Sequence, residues 1–213
     1  MDSTKDIAQI RNLIESWVAY RDAFLWEKFR KVWHPEGIMI ATWSQSTFEE
    51  FITNTEEGKK NSNLWYMHIL GGSGIEVNGD RAISMTKMII TQRITISGIP
   101  CDMNCFARHF DFWQKYEKDG ESVWGLRRRE TVCDKDNLSP VNPMDAGKIK
   151  LDENRLAMYP EEYRYLAYCI VENGYPCSTD NVPIYSGNPA LYDLYERGEK
   201  WLAGTLQKPE GDN

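Results

Sequence analysis

The sequence predicts an α+β fold, a cone-shaped α+β barrel in which N-terminal helices cover a curved, mostly antiparallel sheet, followed by a helical C-terminal extension. Three observations predict it. Apolar residues recur at three-to-four spacing early in the chain, the period of an amphipathic helix. After residue 63 the period drops to two over several long runs, as in strands. Those runs follow one another across turn signals, without the βαβ alternation of a parallel sheet.

Taken in order, the first segment carries Ile7, Ile10, Ile14, Trp17 and Val18 on one helical face and stops near AYRDAF. Ser3 with Asp6 forms a capping-box-like start, and a second short helix is expected over residues 25–33, before an HPEG turn. Ser46 with Glu49 predicts a third helix, STFEEFITNTEEGKK, ending in a lysine-rich turn. Between them lies the short apolar stretch GIMIATW.

The strand candidates are SNLWYMHIL, GIEVNGDRAISMTKMIITQRITI, CFARHFDFWQKYE and VWGLRRRETV. Asn78–Gly79 is a two-residue hairpin signal, and EKDGES is a second reversal. From about Asp134 the composition shifts. DNLSPVNP is turn-rich, and LDENRLAMYPEEYRYLAYCIVENG and NPALYDLYERGEKWLAG are helical or semi-helical and rich in tyrosine. Their large apolar area predicts an extension, residues 134–213, packed on the domain formed by residues 1–133 or on a partner subunit.

A formal charge of −7 argues against a broad nucleic-acid surface. The one basic cluster, Arg127–Arg128–Arg129, would alternate between faces of a strand and reads as surface or ion-pair residues. Five cysteines without a completing Cys or His pair point to buried thiols rather than a metal site or a disulfide framework. No apolar run is long enough to span a bilayer and MDSTKDIAQI lacks the features of a leader, so no membrane is expected as a partner and the expected location is cytoplasmic. GGSG lacks the lysine of a phosphate loop, and no dinucleotide fingerprint is present. No cofactor is therefore expected.

The run WYMHILGGSG sets His68 in apolar surroundings, and alternation puts Tyr66, His68 and Leu70 on one face. From the residues alone His68 is either a core histidine satisfied by a hydrogen bond or a catalytic base in need of a partner. Asp22, in AYRDAF, reads by pattern as a solvated acid at a helix end.

The order of a helix ending in Asp22, the HPEG turn, a covering helix, the His68 strand, the VNGDRA hairpin and CFARHFDFWQKYEKDGESVWGLRRRE resembles the SnoaL-like group of the nuclear-transport-factor-two-like superfamily. The likeness covers roughly residues 4–133. The tail, from KDNLSPVNP to GEKWLAG, resembles the C-terminal extension of fungal SnoaL-like proteins. In scytalone dehydratase and hexachlorocyclohexane dehydrochlorinase of that superfamily, an aspartate closing the first helix meets a strand histidine across a pocket. The resemblance therefore implies a catalytic Asp22–His68 dyad, a cofactor-independent lyase or isomerase (dehydratase or cyclase), and a small apolar or aromatic, polyketide- or terpenoid-like substrate. It also implies a homodimer. A non-catalytic binding or assembly module of the same fold is the alternative.

Arg108 lies in a strand whose even positions, Phe106, Phe110, Phe112 and Tyr116, read as core-facing. That places it in the cavity as an electrostatic stabiliser, or else in a structural ion pair. The matching position of the dehydrochlorinase is also an arginine. His109 would then face the other side unless a bulge intervenes. Tyr20, Tyr66, Trp43, Phe106, His109 and Phe110 complete the candidate substrate contacts, and His34 reads as a turn residue.

Overall fold

The computed structural model describes residues 3–61 and 65–210. Helices α1 (Thr4–Asp22), α2 (Trp26–Arg30) and α3 (Phe48–Asn61) are interleaved with strands β1 (Trp33–Ile40) and β2 (Gln45–Thr47). Four longer strands follow: β3 (Trp65–Asn78), β4 (Arg81–Ile96), β5 (Ile99–Lys118) and β6 (Glu121–Pro140). The start of the first strand run, residues 62–64, lies outside the described residues. Sheet order is β2-β1-β6-β5-β4-β3, antiparallel throughout except where β1 runs parallel to β6. The fold is α+β, as predicted.

The apolar face of α1 is buried at Ile10, Ile14, Trp17, Val18 and Arg21. Trp17 packs on Phe29, Trp33 and Phe51 at centroid distances of 5.2, 6.5 and 6.3 Å, which locks the three helices onto β1. Both expected capping boxes differ. Ser3 makes no side-chain cap, and Asp6 instead accepts from Trp124 Nε1 at 2.8 Å and pairs with Lys115. The box before α3 sits one residue later, with Thr47 N–H donating to Glu50 and Glu50 N–H to Thr47 Oγ1, at 3.0 and 3.3 Å. The HPEG segment is part of β1, around an irregularity in its pairing with β6 between Trp33 and Ile38. There Gly125 lies so close to the His34 backbone that a Cβ would come within 2.7 Å of His34 Cα.

The turn-rich reading of DNLSPVNP is also corrected over residues 136–140. β6 continues through them, with Asp136 opposite Cys105 and Pro140 opposite Cys101, so the boundary drawn at residue 133 falls inside a strand. After a short 3₁₀ turn come α4 (Glu153–Leu156), α5 (Arg164–Glu172) and α6 (Pro189–Leu202). α5 packs Leu166, Ala167 and Ile170 against Met88, Met103, Cys105 and Cys133 on the concave side of the sheet. α6 packs Leu191, Leu194 and Trp201 on the opposite side, against Ile83, Phe110, Phe112 and Val132. The segment between them adds a short parallel bridge from Ile184 to Cys133. The extension thus grips both faces of one sheet, burying β5 on both sides.

Candidate active site

Asp22 is the last residue of α1, and the chain reverses just after it at Phe24, which adopts the left-handed φ of 58°. That reversal fixes the last turn of α1 beside β3. Asp22 Oδ1 accepts from His68 Nδ1 and Oδ2 from the His68 backbone N–H, both at 2.7 Å. His68 is buried, with its ring edge-on to Trp17 and Tyr66 at 5.8 and 5.9 Å. Arg21 Nη1 lies over the face of the ring, 2.8 Å from Nε2 and 3.1 Å from Nδ1. Because an ionised carboxylate only accepts, the Asp22 contact puts the proton of the neutral imidazole on Nδ1.

The electrostatics agree. Burial first, then the positive charge of Arg21, pulls the His68 pKa down to about 4, and the Asp22 contacts only partly oppose this. Burial works against the Asp22 charge, yet the His68 ring and backbone hydrogen bonds and nearby Arg21 hold its pKa below the ordinary value. The result at neutral pH is a carboxylate, a neutral imidazole and a guanidinium in series.

The imidazole and the guanidinium border a cavity of about 100 Å³ between the concave sheet face, α1, α3 and α5. Trp17 and Arg21 come from α1, Phe51, Thr55 and Lys59 from α3, Tyr66 and His68 from β3, His109 from β5, Thr131 and Cys133 from β6, and Leu166 and Ile170 from α5. Trp43 and Tyr175 close it from connecting segments. The lining is chiefly apolar and aromatic, the usual make-up of a small-molecule site.

The structure brings together Asp22, His68, Tyr66, Trp43 and His109, and leaves the other candidates elsewhere. Arg108 is on the far face of β5, donating to the Asp134 carboxylate and, at 2.7 Å, to Tyr195 Oη on α6. Phe110 lies beneath Tyr195 and Phe112, and Phe106 borders a separate outer groove with Ile89 and Tyr185. Tyr20 packs at the edge of the helical core under Lys28. The reason is common to Arg108, Phe106 and Phe110. β5 is covered on both faces, so aromatic even positions do not identify the cone side, and the odd positions face it. His109 therefore lines the cavity, its ring 5.3 Å from Trp17 and its pKa pushed well down by burial and by Arg129.

One residue of the site escapes the sequence reading, and a second lies deeper than that reading implies. Arg21 continues the buried stripe of α1 four residues after Trp17, a signal present in the spacing. Arg129 is wholly buried, paired bidentately with Asp111 at 2.7 and 2.8 Å and lying over the Trp17 ring at 4.3 Å. The ion-pair reading of Arg127–Arg128–Arg129 holds for it, and the cross-strand register opposite Asp111 makes this an interior pair rather than a surface one. Among the described residues no group of three or more His, Cys, Asp or Glu could hold a metal, and no helix is long and apolar enough to cross a membrane.

Comparison with known proteins places residues 2–130 in register with the SnoaL-like domain family. An uncharacterized protein of Emericella nidulans is 36% identical over 167 residues, covering 76% of this chain and 68% of that one. A PEP2-like protein of Fusarium vanettenii is 34% identical over 211 residues, covering 92% and 85%. Among solved structures, a type 2 hexachlorocyclohexane dehydrochlorinase shares the fold with a TM-score of 0.51 at 15% identity, over 66% of this chain and 92% of its own.

Proposed function

We propose that this chain, which belongs to the SnoaL-like family, is a cofactor-independent lyase or isomerase with His68 as general base and Asp22 as the group that orients it. The observation that carries this reading is the 2.7 Å contact of Asp22 Oδ1 with His68 Nδ1, which leaves Nε2 as the basic nitrogen. A carboxylate on the distal nitrogen fixes the tautomer and stabilises the imidazolium that forms, and such general-base work supplies about 10²–10⁴ in rate.

The step is proton abstraction from a carbon next to a carbonyl. Nε2 takes the proton, and the C–H electron pair moves into an enolate whose oxygen draws Arg21 Nη1 away from the imidazole. Where a β-hydroxyl is present, collapse of the enolate forms the C=C bond and expels the hydroxyl, which leaves as water with the proton returned from His68. Where a β,γ double bond is present instead, the enolate extends onto it, His68 returns the proton to the γ carbon, and the double bond moves into conjugation with the carbonyl. The aromatic lining favours a small, largely apolar molecule of polyketide or terpenoid character, and about 100 Å³ suits one ring or a short unsaturated chain. The exposed row Trp65, Met67 and Ile69 on the outer face of β3 favours a homodimer.

A panel of one-ring β-hydroxy ketones in deuterium oxide tests the proposal, with water loss and α-carbon deuterium read by mass spectrometry. Wild type should process at least one, while His68→Ala should abolish exchange and retain the near-UV circular dichroism. Equal exchange in His68→Ala would overturn the assignment. The contact of Arg21 with Nε2 favours a second reading, a binding module without turnover, whose signature is ligand capture with no exchange in wild type.

A further inference from the structure

Three arginines are buried among the described residues, and two are neutralised directly: Arg129 by Asp111, and Arg127 by Glu36. Arg21 differs. Its nearest carboxylate oxygen, on Asp22, is 4.0 Å away and turned to His68. Its guanidinium lies over Tyr66 at 4.8 Å, with Trp17 at 5.4 Å and Phe51 at 5.5 Å, and its Nε has no hydrogen-bond partner among the described residues.

The rest of the cavity has the same polarity. Its basic lining residues are Arg21, Lys59, His68 and His109, with no aspartate or glutamate among the described lining residues. Tyr66 Oη and Trp17 Nε1 are buried without partners alongside Arg21 Nε. In a chain of net charge −7, one buried cavity therefore gathers donors and positive charge. Such groups are stable only when a ligand or a paired charge satisfies them, and a planar guanidinium fork matches a carboxylate by two parallel hydrogen bonds.

We propose that the cavity takes a small aromatic or unsaturated carboxylic acid, held by its carboxylate on Arg21 with its ring among Trp17, Phe51 and Tyr66. This deepens the general-base reading, on which it rests for the role of His68. As the carboxylate engages Arg21, the positive charge over the face of the His68 ring is neutralised, so binding the acid makes the imidazole a stronger base. Neutral analogues of the same shape leave that charge unpaired. Arg21 is thus both the acid receptor and the residue through which the right ligand strengthens the base.

Benzoate and benzamide are the probes, differing in charge at nearly constant shape. Titrated into the full-length protein and followed by tryptophan fluorescence and calorimetry, benzoate should bind about 10-fold or more tightly than benzamide. Arg21→Gln should erase the difference, Arg21→Lys should retain part of it, and His68→Ala should keep it. Equal binding of the two probes by wild type, no benzoate binding at millimolar concentration, or an undiminished preference in a folded Arg21→Gln would each overturn the proposal. The wild-type comparison decides alone if Arg21→Gln does not fold. Failure here is separable from failure of the general-base reading, which is scored by deuterium exchange in His68→Ala.

Discussion

Asp22 holds His68 at two points, one oxygen on the ring Nδ1 and the other on the backbone N–H, each at 2.7 Å. One carboxylate thereby sets the tautomer of the imidazole and the position of the strand that carries it. Replacing it with asparagine keeps the shape and removes the charge. Asp22→Asn should lower exchange or turnover by about 10²–10⁴ while the fold survives. Imidazole ¹⁵N shifts should show loss of the single Nδ1–H tautomer; an unchanged tautomer with unchanged rate would contradict the orienting role.

His68 makes stability pH-dependent in a defined direction. Its folded pKa of about 4 lies below the ordinary 6.5. Between those values the unfolded chain binds a proton that the folded chain refuses, so the stability is complete above 6.5 and declines toward 4. The full loss is roughly 3 kcal/mol. His109 shifts in the same direction, so the contribution of His68 is isolated by comparison with His68→Gln. Urea midpoints at pH 7 and pH 4.5 should fall further in wild type, and parallel behaviour of the two proteins would refute it.

The Arg129–Asp111 pair has no solvent exposure on either side chain. Removing one partner strands the other charge, so Asp111→Ala should destabilise by about 3–5 kcal/mol. The double change Asp111→Leu with Arg129→Met should recover much of that loss, as equilibrium urea unfolding can show. A small effect of Asp111→Ala would mean that water reaches the pair.

Gly125 and Gly72 form a matched test of close approach. A Cβ on Gly125 would meet His34 backbone atoms at 2.7 and 2.8 Å, whereas one on Gly72 meets nothing within 4 Å. Gly125→Ala should therefore destabilise by about 1–3 kcal/mol through overpacking, and Gly72→Ala should stay within about 0.5 kcal/mol. Thermal unfolding of the two variants decides it; equal midpoints would refute the strand contact.

The α-helices, the long strands and the partnership of Asp22 with His68 were readable, but from different sources. Periodicity gave α1 and the side of β3 on which His68 lies, since β3 is covered on one face only and its alternation is clean. The resemblance, not spacing, brought Asp22 across the pocket. Arg108 was misplaced because α6, 80 or so residues later, supplies a second apolar environment that makes the outer face of β5 look like a core. Arg21 was overlooked because a cation on an apolar stripe reads as the end of that stripe. Residues 136–140 read as turn because their Asn, Ser and Pro content is visible in the sequence and the pairing partner that β5 provides is not.

α5 has a consequence in time as well as in space. The dyad joins residues 46 apart, whereas Leu166 and Ile170 reach the same cavity from far later in the chain. During synthesis the acid and the base leave the ribosome well before the floor beneath them, and the cavity is complete only once that floor has docked. Ligand recognition is the property most open to exchange, since a different tail on the same sheet would alter what is bound and leave the histidine and aspartate where they stand.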